Sequence, residues 1–233
     1  MSYLVLVRHG ESRWNLSNKF TGWVDVPLSE NGIRESLSAA KNLNGLDLEF
    51  AFTSKLERAQ ETLMIMLAQQ KKTGIFLHKG KKRHDWSNHP KQFEKNEIPI
   101  YSDDALNERY YGALQGKDKD EMRKKYGEEQ VFTWRRSYNV APPRGESLKD
   151  VYKRSVPYFK KEIIPRLKKG DVIVSAHGNS MRAIIKYLDN ISDEKIPFLE
   201  LPTGKLIIYK YSNGKLKRMK HKHSFTRPIK WKK

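Results

Sequence analysis

Apolar and polar positions fall into blocks that switch between two periods along this chain. Residues 3–7 (YLVLV) are a continuous apolar run. That pattern predicts a short strand buried on both faces. Residues 50–54 (FAFTS), 171–178 (DVIVSAHG) and 205–211 (KLIIYKY) repeat it, and PIYSD at 99–103 predicts a shorter strand. Asn213-Gly214 is a hairpin signal. Between these runs the period lengthens. Ser29 precedes a helical stretch that should stop near Asn44-Gly45. Ser54 and Glu57 have the spacing of a capping box, and Leu56, Ala59, Leu63 and Leu67 share one face of the helix that would follow.

Helical segments are also expected at about 120–126 and 128–138. The turn APPRGES then leads into a helical run over 147–168, which Pro157 and Pro165 should kink or divide. NSMRAIIKYL (179–188) predicts a helix directly behind a strand. Residues 71–99 have no clear period, and there is no internal repeat. The alternation predicts an α/β fold: a three-layer sandwich, with a mostly parallel central sheet and helices on both faces. The 233 residues are read as a single domain with a basic insert at about 71–99 and a basic tail from about 212.

Composition sharpens that picture in two places. The chain has no cysteine, which excludes disulfides and thiol chemistry. No run approaches the roughly 18 apolar residues of a membrane span, and no leader-like segment precedes the first strand. A cytoplasmic protein without membrane attachment is expected. The net charge of +19 is local. Residues 205–233 hold eleven Lys or Arg and no acid, and residues 71–95 hold eight Lys or Arg against Asp85 and Glu94. The remainder is nearly neutral. Such segments suit an anionic partner or the steering of an anionic substrate, or serve as a solubilising surface.

Candidate chemistry collects at strand ends. VLVRHG and VIVSAHG share one layout: a buried strand, then a His, then a Gly. In open parallel sheets, ligands gather beyond the carboxyl ends of the strands. If the two strands are neighbours, His9 and His177 face each other across one crevice, and Gly10 and Gly178 let the backbone approach a ligand. Arg58, near the start of the helix behind FAFTS, would join them at an anion-attracting helix N-terminus. The plainer alternative is a surface ion pair with Glu57 or Glu61. Arg8, Arg58, His9 and His177 together would form a dianion pocket. Neutral imidazole, with its unperturbed pKa of about 6.5, is a competent nucleophile within it. No HExxH or carboxylate cluster is present; His78, His84 and His89 lack acidic or cysteine company, and no metal is expected.

RHGES, Asn15 and FTGW-DVPLSE-G resemble the histidine phosphatase (phosphoglycerate mutase-like) superfamily. LNERYYGALQG, EQV-TWRRSY, APP-GESL and AHGNSMRA-IKYLDN resemble its cofactor-dependent phosphoglycerate mutase branch. The resemblance implies interconversion of 3-phosphoglycerate and 2-phosphoglycerate. His9 would be the phosphorylated nucleophile, with Arg8, Arg58 and His177 holding the phosphoryl group. Glu108 would be the general acid and base; its plainer alternative is an ion pair with Arg109. Ser12, Asn15, Thr21, Gly22, Arg109, Tyr111, Lys119, Arg135, Arg136, Gly178 and Asn179 would bind the small phosphorylated glycerate. Phospho-His9 would give its phosphoryl group to a monophosphoglycerate and take back the other one, after priming by 2,3-bisphosphoglycerate and without a metal.

Adjacent arginines on a helix point roughly 100° apart, so Arg135 and Arg136 need a helix end or a crowded wall to reach one ligand; the plainer alternative is a solvated basic face. The insert and the tail match nothing in the family pattern. A homo-oligomer is therefore left open. The competing functions are a histidine-type phosphatase, a bisphosphoglycerate phosphatase or a bisphosphoglycerate mutase. A more remote one is a basic anion-binding protein on a mutase-like domain; nucleic acid is not an expected partner.

Overall fold

The computed structural model describes residues 1–78, Lys82 and residues 94–219. Its chain order begins with β1 (Ser2–Arg8), α1 (Arg13–Leu16), α2 (Glu30–Lys41), β2 (Leu48–Thr53), α3 (Glu57–Gln69), β3 (Thr73–Leu77) and β4 (Glu97–Ser102). It continues with α4 (Lys119–Tyr126), α5 (Glu128–Arg136), α6 (Leu148–Tyr158), α7 (Ile164–Leu167), β5 (Asp171–Ala176), α8 (Gly178–Leu188), β6 (Leu206–Ser212) and β7 (Lys215–Arg218). The strands form one seven-stranded sheet in the order β3-β4-β2-β5-β1-β6-β7. The first five are parallel; β6 runs antiparallel to β1, and β7 antiparallel to β6.

The apolar runs explain the layers. Side chains alternate across a strand. Leu4 and Leu6 therefore enter one core, with Val172, Val174, Phe159, Met181 and Ile184. Val5 and Val7 enter the other, with Ala51, Ile173, Ala39, Leu63 and Met66. Helices α2 and α3 supply the second core, and α6 to α8 the first. Val5 pairs with Ile173 and Arg8 with Ala176, so β1 and β5 are central neighbours and end level with each other.

The structure departs from the expected elements at three points. Strand β3 lies within the stretch that has no period; it is an edge strand, only half-buried, and so carries a weak apolar signature. The run over 147–168 is divided as expected, with the break between its two prolines. Pro157 sits inside α6, and a π-helical turn at Phe159–Ile163 separates α6 from α7. Pro157 has no N–H to give, which fits a break in the i→i−4 ladder there. Helix α2 ends at Lys41, short of Gly45, whose φ of +86° belongs to the following turn. Ser54 and Glu57 form no capping box: the residue flanking α3 is Leu56, and the Ser54 hydroxyl is used elsewhere. Asn213 and Gly214 make the expected turn, with φ of 50° and 76°, and β7 follows. Trp86, Phe93, His84, His89 and residues 220–233, which hold most of the insert and tail readings, lie outside the described residues. Among the described residues no helix is long and apolar enough to cross a membrane.

Candidate active site

The carboxyl ends of β1 and β5 place the first pair of groups. His9 N–H donates to the Ala176 carbonyl at 3.0 Å, which ties the end of one strand to the end of the other. The His9 and His177 rings stand 4.9 Å apart, tilted by 58°. Both are buried. His9 Nδ1 lies 2.7 Å from the Gly10 carbonyl oxygen. A carbonyl only accepts, so Nδ1 carries the proton and Nε2 keeps its lone pair. Nε2 faces Arg58 Nε at 3.4 Å. Burial, then the Arg58 and Arg8 charges, hold the His9 pKa well below 6.5. His177 is lowered likewise by burial and then by Arg58, His9 and Arg8. Both rings are neutral near pH 7.

Arg58 is not a surface residue paired with Glu57 or Glu61. It is 1% exposed and sits in the first turn of α3. It donates to the carbonyls of Gly22 at 2.8 Å and Val24 at 3.0 Å. Glu61 accepts instead from the Leu28 N–H. Burial lowers the Arg58 pKa to about 10, which leaves it fully charged at neutral pH. Arg8 donates to the Leu201 carbonyl at 2.7 Å, and its Nε has no partner.

Glu108 closes the cavity from the segment behind β4. Its Oε1 accepts from the Arg109 N–H at 2.7 Å, the Asn179 N–H at 3.2 Å and Asn179 Nδ2 at 2.7 Å. The suspected ion pair with Arg109 is absent; only that residue's backbone touches the carboxylate. Arg109 is fully buried. It donates to the Arg135 carbonyl and to the Tyr111 hydroxyl, and its charge centre lies 5.0 Å from the Tyr111 ring. Burial pushes the Tyr111 phenol up, but Arg109 and Arg135 outweigh it and hold the pKa below its usual value.

These groups surround a cavity of about 100 Å³. Of the residues expected from sequence, Arg8, His9, Arg58 and Glu108 line it, together with Asn15, Thr21, Gly22, Tyr111, Lys119 and Arg135. Five cations, counting Lys19, face one carboxylate. Burial first, then Arg135 and Arg8, bring the Lys119 pKa down to about 8. The remaining expected residues stand behind the wall. Ser12 caps α1 and exchanges hydrogen bonds with Asn15. Arg109 and Asn179 hold Tyr111 and Glu108 by hydrogen bonds, and Gly178 lies beside Arg8 and Glu108. Arg136 turns away from Arg135 and pairs with Glu200 at 2.9 Å, as neighbours on a helix must.

Gly10 and Gly178 differ from each other. A β-carbon on Gly10 would sit 2.3 Å from the Gly32 carbonyl oxygen, so this glycine admits α2 rather than a ligand. One on Gly178 would meet Arg8 Nε and Glu108 Oε2 at 3.7 Å, which is ordinary contact with the site's own walls.

Four participants escaped sequence reasoning. Lys19 and Phe20 line the cavity; both adjoin the Thr21-Gly22 motif, which was the available signal. The Ser54 hydroxyl lies 2.7 Å from His177 Nε2 and accepts the Leu56 N–H. Trp23 Nε1 donates to the Glu108 carbonyl at 2.6 Å. Trp23 also adjoins the Thr21-Gly22 motif, whereas the Ser54 contact has no spacing signal. Among the described residues no group of three His, Cys, Asp or Glu is placed to hold a metal ion.

A family model described as the histidine phosphatase superfamily (branch 1) matches residues 4–80 and 91–222. A 2,3-bisphosphoglycerate-dependent phosphoglycerate mutase of Methanosarcina acetivorans is 53% identical, covering 94% of this chain and 95% of that protein. The same-named proteins of Chlamydia pneumoniae and Methanococcus vannielii are each 46% identical over 94% of this chain, and over 97% and 94% of their own lengths. Among solved structures, Bacillus stearothermophilus YhfR superposes with a TM-score of 0.74 at 24% identity, covering 94% of this chain and 95% of that one. A mycobacterial glucosyl-3-phosphoglycerate phosphatase complexed with VO3 gives 0.72 at 20% identity, covering 94% and 97%. These structural likenesses speak for the fold.

Proposed function

The chain belongs to the histidine phosphatase superfamily, and on that premise we propose that it interconverts 3-phosphoglycerate and 2-phosphoglycerate through a phosphoryl group carried on His9. It is an enzyme of the 2,3-bisphosphoglycerate-dependent phosphoglycerate mutase kind. The phosphatase alternatives are not favoured, because the relatives that share about half of its residues over nearly full length are named as mutases. The reading carries a cytoplasmic location and a small phosphorylated glycerate as the substrate.

The observation that carries the site assignment is the unprotonated Nε2 of a neutral His9, touched by a long hydrogen bond from Arg58 and set in a cavity of five cations opposite a single carboxylate. An unprotonated imidazole nitrogen can attack phosphorus without first losing a proton, once the phosphoryl oxygens draw the Arg58 donor to themselves. Fixed cations around it stabilise the equatorial oxygens in flight. Arg58 reaches Nε2 itself; Arg8 and His177 flank it. The buried Nε of Arg8, Oγ1 of Thr21 and Nδ1 of His177 have no partner, and phosphate oxygens would satisfy these atoms. The residues present therefore fit a phosphorylated primer such as 2,3-bisphosphoglycerate, held by Arg8, Thr21, Arg58 and His177. When bound, it supplies the phosphoryl group that charges His9.

Glu108 does the proton work. Its Oε1 is tied down by three donors, which aims the carboxyl at the cavity. It removes a proton from the substrate hydroxyl as that oxygen takes the phosphoryl group, and returns one to the oxygen that leaves. Tyr111, Lys119 and Arg135 hold the carboxylate and the distal phosphate of the substrate, and Asn15 completes the cradle around His9.

A coupled assay of 3-phosphoglycerate conversion, with and without 2,3-bisphosphoglycerate, tests this reading. His9→Ala should abolish turnover under both conditions. Isomerisation that survives His9→Ala would overturn the phosphohistidine route. Phosphate release faster than isomerisation would move the assignment to a phosphatase.

A further inference from the structure

Nothing in the cavity accounts for where the backbone of Glu108 is held. The answer lies one layer below, in α6. Arg154 divides its guanidinium between this segment and the carboxylate of Glu146. Nη1 donates to the carbonyl oxygens of Asp104 at 3.2 Å, Ala105 at 3.0 Å and Asn107 at 3.0 Å. Nη2 donates to the Glu108 carbonyl at 2.9 Å and to Glu146 Oε2 at 2.9 Å. Nε donates to Glu146 Oε1 at 2.9 Å, which completes a bidentate pair. Glu146 Oε2 in turn accepts the Tyr110 N–H at 2.9 Å. The next residue, Ser155, adds its hydroxyl to the Ala105 carbonyl at 2.6 Å. Trp23 Nε1 reaches the same Glu108 carbonyl, and the Arg154 charge lies 5.7 Å from the Trp23 ring.

We propose that Arg154 is a positioning residue for Glu108, acting on its backbone from outside the cavity; the proposal rests on the reading of Glu108 as the proton-transfer group. Four carbonyls from a five-residue stretch converge on one planar fork. That arrangement sets both the direction in which the Glu108 side chain leaves the backbone and its depth in the cavity wall. The anchor on Glu146 keeps the fork from following the segment when it moves. A lysine offers three donors on a flexible stem and cannot reproduce a planar five-donor fork. Misplacement of a catalytic group by about 1 Å is enough to cost roughly 100-fold in rate.

The test is a double-mutant cycle on the full chain, read as kcat for isomerisation. Arg154→Lys should lower kcat by about 10- to 100-fold, with KM little changed, because Arg154 touches none of the cations assigned to hold the substrate's carboxylate and phosphate. Glu108→Gln should lower kcat further. The double variant Glu108→Gln/Arg154→Lys should be no slower than Glu108→Gln alone, since a residue that acts through Glu108 has nothing left to act on. Independent, multiplying losses would overturn the proposal, and so would an Arg154→Lys enzyme with unchanged kcat. Should Arg154→Lys fail to fold, Glu146→Gln removes the anchor while leaving the guanidinium, and the same cycle with Glu108→Gln applies to it. A Glu108→Gln enzyme with unimpaired kcat would sink the assignment of Glu108 itself, an outcome distinct from the other two.

Discussion

Arg58 donates its Nε–H toward Nε2 of His9 across 3.4 Å, while its two terminal nitrogens are fastened to the carbonyls of Gly22 and Val24. One buried side chain thus presents a cation to the nucleophilic atom and pins the loop that carries Thr21 and Gly22. Arg58→Lys keeps the charge but cannot make all three contacts. Its kcat should fall by about 10²- to 10³-fold, the loss typical for one preorganised donor at a developing charge. Arg58→Ala should in addition destabilise the fold by about 1–3 kcal/mol, because it leaves carbonyls unpaired. Steady-state kinetics together with urea denaturation checks both; an Arg58→Lys enzyme with normal kcat would contradict the role.

Stability should depend on pH through the two facing imidazoles. In the unfolded chain His9 and His177 take up protons near their ordinary pKa of 6.5; in the fold both are held well below it. Below pH 6.5 the unfolded state therefore binds more protons, and stability falls as pH falls. Above pH 6.5 the two states bind alike and the contribution is complete. The slope should approach about 1.4 kcal/mol per pH unit for each imidazole. Thermal unfolding between pH 5 and 8 measures it, and the His177→Gln variant should lose about half of the acid-side slope. A slope unchanged in that variant would exclude His177 as a source.

Gly10 and Gly178 looked equivalent in the sequence, and substitution should separate them. Gly10→Ala drives a β-carbon onto the Gly32 backbone, which cannot yield as a side chain would. Overpacking of this kind costs about 1–3 kcal/mol or more, and it would also push His9 off the end of its strand. Gly178→Ala meets only ordinary contact distances and should fold with near-normal stability. Denaturation midpoints of the two variants decide the matter. Equal losses would show that Gly32 and α2 give way.

The strand-end histidines were legible because a strand buried on both faces has to be apolar throughout; a His-Gly that ends such a run stands out, and parallel pairing brings two such ends together. Strand β3 was not legible, since an edge strand half-covered by the protein needs no such run. The supports of the site were invisible for another reason. Arg154 and Trp23 act on backbone carbonyls 46–85 residues away, and a carbonyl leaves no mark in a sequence. Ser54 did leave one, but the spacing to Glu57 pointed to a helix cap, whereas the fold turns the hydroxyl to His177. For Arg135 and Arg136 the helical 100° step was the correct guide: one faces the cavity and the other pairs with Glu200.

Lys119 should give the enzyme an alkaline limit. Burial and the neighbouring Arg135 and Arg8 charges bring its pKa to about 8, so below pH 8 the amine is charged and attracts a phosphorylated acid. Above pH 8 it becomes neutral and that attraction is lost. The sign is therefore a fall in kcat/KM as pH rises through about 8. The fall belongs to the free enzyme, since a bound anion raises the same pKa and moves the inflection out of kcat. Lys119→Arg keeps a cation that stays charged throughout this range. Its kcat/KM should be flat from pH 7 to 9, whatever its absolute level. An inflection near pH 8 that persists in Lys119→Arg would assign the limit to another group.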